Sequence, residues 1–141
     1  MTTLTSLTAA DVHVGDALPD LTIPLTRTFI ISAAIASRDY QDVHHDHELA
    51  HERGSADIFI NILTTNGIVG RFVTDWAGPA SRLRKVAIRL GAPSYAGDTL
   101  VLSGEVTALD GNVAEIAIKG INRLGAHVTG TVSVELPEVA A

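Results

Sequence analysis

From residue 82 to residue 136 the chain repeats with a period of two. Val86, Ile88 and Leu90 alternate with Lys85, Ala87 and Arg89, and Val128, Gly130, Val132, Val134 and Leu136 alternate with Thr129, Thr131, Ser133 and Glu135. Between these runs lie apolar stretches at 100–109 and 113–121, joined at Asp110-Gly111-Asn112, and Leu124-Gly125 makes the next turn. Side chains that alternate along a strand give a sheet one buried face and one wet face. Four strands joined by turns read as an antiparallel meander, and its buried face needs an apolar partner.

The strongest helical pattern upstream can supply that partner. Ile58, Ile62, Ile68, Val69, Phe72, Val73 and Trp76 recur at helical spacing, Asp57 is placed to cap the run, and Gly78-Pro79 stops it. The run is apolar nearly all round, which suits a helix wrapped by a sheet. Gly67 and Gly70 weaken it, so close packing against another backbone is expected there. Residues 1–20 read as polar and irregular. Residues 23–36 read as a strand running into a turn or short helix at Ala33-Ala34-Ile35-Ala36, and Asp46 is placed to cap a short helix over 47–53 that Gly54 ends. The expected architecture is one α+β domain over 1–141, a curved antiparallel sheet around one long central helix.

A formal charge of −6 argues against nucleic-acid binding, which needs a basic face. The absence of cysteine excludes a disulfide framework and a thiol nucleophile. Hydrophobic residues are 46% and charged residues 18%, so apolar surface buried against a partner is expected. Residues 1–10 lack the charge and apolar pattern of a signal peptide, no run reaches membrane-spanning length, and the expected location is the cytoplasm.

The chemistry is concentrated in Ser37-Arg38-Asp39-Tyr40-Gln41-Asp42-Val43-His44-His45-Asp46. A carboxylate and an imidazole on one short turn can hold a single water molecule, taking a proton from it and returning one to a substrate carbon. The competing account makes Asp39 a turn cap and His44 a polar surface group.

Asp39-x-Gln41-x-Val43-His44-x-Asp46-x-x-x-Ala50 resembles the hydratase motif of MaoC-like (R)-specific enoyl-CoA hydratases, Asp-x-Asn-Pro-(Ile/Val/Leu)-His-x-Asp. Gln41 replaces the usual Asn and Asp42 the usual Pro. Leu90-Gly91-Ala92-Pro93-Ser94-Tyr95-Ala96-Gly97-Asp98-Thr99-Leu100 resembles a second signature of that family, Pro followed by Gly-Asp-x-(Leu/Val). Together with the β pattern the resemblance covers nearly the whole chain. The wording around Asp39, with Asp57-Ile58-Phe59-Ile60-Asn61-Ile62-Leu63-Thr64 and Val73-Thr74-Asp75-Trp76-Ala77-Gly78-Pro79, is similar to the small MaoC-like subunit of actinobacterial hydratases acting on steroid side chains.

The resemblance implies the hotdog fold and addition of water to a trans-2-enoyl-CoA thioester. It implies that Asp39 and His44 activate the water and deliver the α-proton. It also implies an oxyanion donor, the Ile62 backbone N–H, at the start of the long helix, with Asn61 either positioning the thioester or capping and packing. The family's usual His-Gly stands here as Asn61-Ile62, and the helix Ser that orients the Asp in some relatives corresponds to Gly70. No cofactor is implied, because coenzyme A is part of the substrate. The implied partner is a second MaoC-like hotdog subunit or a second copy of this chain. A non-catalytic acyl-CoA-binding hotdog and a thioesterase share the fold and remain as alternatives.

Two further patterns need an account. His47-Glu48-Leu49-Ala50-His51 is a literal H-E-x-x-H, which extended to Gly54 and Asp57 resembles a zinc metalloprotease site. The sole Met is Met1, so the Met-turn of such proteases is missing, and a solvated helix face is the competing account of these histidines. No metal is expected. Arg71, Arg82, Arg84, Lys85 and Arg89 form a basic stretch, of which Arg82, Arg84, Lys85 and Arg89 are candidates for the coenzyme A phosphates or simply a wet strand face.

Overall fold

The protein is described by a computed structural model over residues 5–138; residues 1–4 and 139–141 of the expected domain lie outside it. Five antiparallel strands form one sheet: β1 (Ala17–Pro24), β2 (Arg82–Leu90), β3 (Thr99–Asp110), β4 (Val113–Asn122) and β5 (Gly125–Glu135), in the order β1-β3-β4-β5-β2. Three helices accompany it: α1 (Arg27–Ala36), α2 (His47–Glu52) and α3 (Ile62–Ala77). No helix among the described residues is long and apolar enough to cross a membrane.

β3, β4 and β5 form the expected meander, with Gly111 and Gly125 at positive φ in the two turns. β2 does not join it as a fourth consecutive strand. It pairs with β5 at the far edge, from Arg82↔Glu135 to Leu90↔Val128. An edge strand has one neighbour and less cover, so Val86 and Ile88 are only half-buried and the alternation seen in sequence is blurred. In β4 the alternation is clean, with Ala114, Ile116 and Ile118 facing inward.

The sheet's inner face packs on α3, whose Ile68, Val69, Phe72, Val73 and Ala77 are buried with Leu102, Val106, Ile116 and Val132. Each of these side chains larger than alanine contributes about 1.5–3 kcal/mol relative to an exposed one. The helix is not apolar all round. Leu63, Gly67, Arg71 and Asp75, four residues apart, form a strip left in solvent. Neither internal glycine touches another backbone. A Cβ at Gly70 would sit 3.3 Å from the Leu83 side chain, and one at Gly67 would meet nothing within 4 Å. Gly67→Ala is therefore expected to raise the unfolding free energy of the isolated chain by about 0.5–1 kcal/mol, read from urea melts. A loss of stability would contradict the open face.

The N-terminal half departs from the sequence expectation in two places. β1 begins at Ala17, inside the stretch read as irregular, and pairs with β3. Phe29, Ile30 and Ile31 are helical, not extended. Pro24 ends the strand, the Thr26 hydroxyl accepts from the Phe29 N–H, and Ile30 and Ala34 fall on one buried face four residues apart.

The long helix begins at Ile62, not at Ile58, and Asn61 caps it in place of Asp57. Tertiary pairing overrides the helical spacing. The segment 58–60 is held extended by the 91–98 connection: Ala96 N–H donates to Ile58 O, Ile60 N–H donates to Ser94 O, and Phe59 bridges Tyr95. That connection is pinned in turn by the Asn122 carboxamide, which donates to Pro93 O and Ser94 Oγ. Buried His127 joins it to the helix. Its Nδ1–H donates to Ala92 O at 2.7 Å and its Nε2 meets the Thr65 hydroxyl at 2.9 Å. Burial pushes the His127 pKa down, which keeps the ring neutral in this role.

Candidate active site

Asp39 is placed by the way α1 ends. Ser37 N–H donates to Ala33 O, Arg38 N–H to Ile35 O and Asp39 N–H to Ala34 O. Arg38 takes φ 56°, the one positive φ outside glycine among the described residues. This is a Schellman-type helix end with arginine where glycine is usual. The left-handed conformation costs a non-glycine residue about 1–2 kcal/mol. It reverses the chain so that the Asp39 carboxylate faces the start of α3.

His44 closes a short 3-10 turn, Asp42–His44, and is buried. Its Nδ1–H donates to Phe59 O at 2.8 Å, and the Phe59 ring packs edge-on at 4.9 Å. A carbonyl only accepts, so the Nδ1 proton is fixed and Nε2 is the atom left to exchange a proton. That Nε2 lies 3.5 Å from Asp39 Oδ2. The gap is long for a direct hydrogen bond and suits two groups contacting one water molecule. The side chains are 23% and 9% exposed, so the carboxylate is open to a ligand while the imidazole is held.

Asn61 is 3% exposed and every hydrogen-bonding position of its carboxamide is taken. Its Oδ1 accepts from the Thr64 N–H and the Thr64 hydroxyl, and its Nδ2 donates to Ser37 Oγ and to Asp39 Oδ2, both at 3.0 Å. The cap-and-pack reading of Asn61 describes the geometry of its carboxamide. The Asn61 N–H donation holds the Asp39 carboxyl below the usual carboxylate range; partial burial opposes this, and the Gln41 N–H and His44 reinforce it. Ile62 is the first residue of α3, so its N–H and that of Leu63 have no acceptor within the helix. Both side chains are 51% exposed beside the cap.

The other candidates are not drawn into this cluster. Arg82, Arg84, Lys85 and Arg89 lie exposed along β2, which separates the first from the last by roughly 23 Å, too far for one phosphate site. Arg84 pairs with Glu135. Arg89 alone lies at the end of β2 toward the helix start, where Leu90 pairs Val128 beside His127. In the H-E-x-x-H segment, His51 Nε2–H donates to Ala56 O and His47 Nδ1 meets Asp57 Oδ1 at 2.8 Å. Asp57 also takes a bidentate pair from Arg27 and its own Ile58 N–H. It ties α1 to α2 and is neither a helix cap nor a converging ligand. Among the described residues no three His, Asp or Glu side chains converge as a metal site would require. Trp76 lines a hollow with Pro19, Asp20, Leu21, Phe72 and Asp75 against β1.

No protein-family model matches the chain. A curated relative does: the 3-oxo-4,17-pregnadiene-20-carboxyl-CoA hydratase beta subunit of Mycobacterium tuberculosis is 50% identical over 123 residues, 87% of this chain and 95% of the relative. This chain belongs to the MaoC-like hydratases. A chain of the ChsH1-ChsH2 complex from the same organism superposes with a TM-score of 0.87 at 50% identity, over 89% of this chain and 98% of that one. The unliganded R-hydratase PhaJ1 from Pseudomonas aeruginosa gives a TM-score of 0.86 at 23% identity, covering 98% and 90%, and shows the shared hotdog fold. Within this MaoC-like frame, three site features escaped the sequence reading: the arginine at the helix end, the Ser37 hydroxyl and the full commitment of the Asn61 carboxamide. Only Ser37 and Arg38 carried a signal, since both adjoin Asp39.

Proposed function

We propose that the chain is a subunit of an enoyl-CoA hydratase that adds water to a trans-2-enoyl-CoA thioester with a bulky polycyclic acyl group. The observation that carries this is the placement of Asp39 Oδ2 and His44 Nε2, 3.5 Å apart, beside the start of α3. One water donates to both. As its oxygen bonds to the β-carbon, one of its protons passes to the pair and the electrons of the double bond move to the α-carbon and thioester oxygen. The resulting enolate oxygen meets the Ile62 N–H with the helix dipole behind it, and the proton is delivered to the α-carbon. No cofactor is needed, since coenzyme A arrives with the substrate, and such thioesters fit a cytoplasmic setting.

The acyl class follows from the relative, whose name specifies a pregnadiene carboxyl-CoA. A partner follows from the surface. Ile35, Tyr40, Ile62 and Leu63 are exposed apolar groups around the site, and the outer strip of α3 is bare. A second MaoC-like hotdog subunit, or a second copy of this chain, would cover them and close the far wall of the acyl channel. The test is an assay of the chain, alone and with co-purified partner, on crotonyl-CoA and on a steroid enoyl-CoA. Loss of the enoyl absorbance without thiol release is expected, with the steroid substrate turned over only by the complex. Thiol release would make it a thioesterase, and no reaction would make it a binding subunit.

A further inference from the structure

We infer that Asn61 is a positioning residue that aims the Asp39 carboxylate, clamping the end of α1 to the cap of α3. The inference rests on the hydratase reading for its catalytic meaning, but the clamp stands on geometry alone. The Ser37 hydroxyl donates to Ala33 O at 2.8 Å, so toward Asn61 it only accepts. The Thr64 N–H on the other side only donates. These two neighbours fix which end of the carboxamide is oxygen. The amide N–H pair therefore points at Ser37 and Asp39, and a flipped amide would set its oxygen against both.

The consequence is specific. Asp39 sits on the turn after α1, and its main chain is tied only to that helix. Asn61 is 22 residues away, and its hydrogen bond joins the carboxylate to the terminus that offers the Ile62 N–H. The base and the oxyanion donor are thus indexed to one another through a single side chain. In this chain the carboxylate is oriented from the cap of the long helix. A hydrogen bond to the charged form also favours that form, so Asp39 stays a proton acceptor at lower pH than a free carboxylate would.

The test uses two variants that keep the helix cap, in the full chain with its partner. Asn61→Ser caps α3 but is too short to reach Asp39. Asn61→Asp keeps the shape and replaces the donor with a second carboxylate oxygen. Carbon-13 NMR titration of the Asp39 carboxyl is expected to show its pKa rising in Asn61→Ser and rising further in Asn61→Asp, as two carboxylates compete for one proton. The acidic limb of kcat/KM is expected to move with it. For Asn61→Ser, kcat is expected to fall on the order of ten-fold with KM nearly unchanged, less than a full ångström of misplacement can cost. An Asp39 titration unchanged in either folded variant overturns the inference, as does a loss confined to KM, which would put Asn61 on the thioester. Failure of the unaltered complex to hydrate any enoyl-CoA would remove the hydratase reading, while the NMR titration would still decide on the clamp.

Discussion

Asp39→Asn is expected to lower kcat for hydration by about 10²- to 10⁴-fold, the range that a positioned acid–base group supplies, with the melting temperature nearly unchanged. The substitution is isosteric, and the Asp39 N–H still donates to Ala34 O at 3.0 Å. An amide oxygen can still accept from Asn61, but it cannot take a proton from water. His44→Ala is expected to cost as much activity, because Nε2 is the proton-exchanging atom paired with Asp39 Oδ2. It carries a modest stability cost as well, since Phe59 O loses the donor that now sits 2.8 Å away. Steady-state assays of the complex beside thermal melts check both. A folded variant at either position with full turnover would refute the assignment.

What the sequence revealed and what it hid follow a physical line. Asp39 and His44 are legible because a five-residue spacing on one turn fixes their proximity locally. The meander of β3 to β5 is legible because two-residue periodicity and tight turns are local too. The start of α3 is not. Ile58 and Ile62 keep helical spacing, yet residues 58–60 are drawn extended by backbone pairing with residues 94–96, more than thirty positions away. The place of β2 is hidden for the same reason, as an edge pairing with β5 leaves no mark in the alternation of β2 itself. The H-E-x-x-H match shows the converse. His47 and His51 do share a helix face, with ring centroids 4.2 Å apart, but Asp57 and Ala56 O engage them. Helical spacing places two ligands and says nothing of what else competes for them.

The β2–β5 pairing leads to the second large effect. Gly130 lies between Ile118 of β4 and Ile88 of β2. A Cβ there would fall 2.1 Å from Ala87 O and 2.9 Å from Ile88 Cα, both backbone atoms that cannot step aside. At Gly120 the close atom, at 2.7 Å, is Val128 Cγ1, a side-chain carbon able to shift. Gly130→Ala is therefore expected to lower the unfolding free energy by about 3 kcal/mol or more, at the upper end of overpacking costs, and Gly120→Ala by less. Urea melts of the two variants decide it, and a Gly130→Ala cost below about 1 kcal/mol would contradict the edge position of β2. The damage should reach the site by a defined route. The β2–β5 ladder continues into Ala92, whose carbonyl holds His127, which holds Thr65 one turn past Asn61. Gly130→Ala should thus lose activity in step with stability, whereas Asp39→Asn should lose activity alone. That contrast separates the residues that support the site from those that do its chemistry.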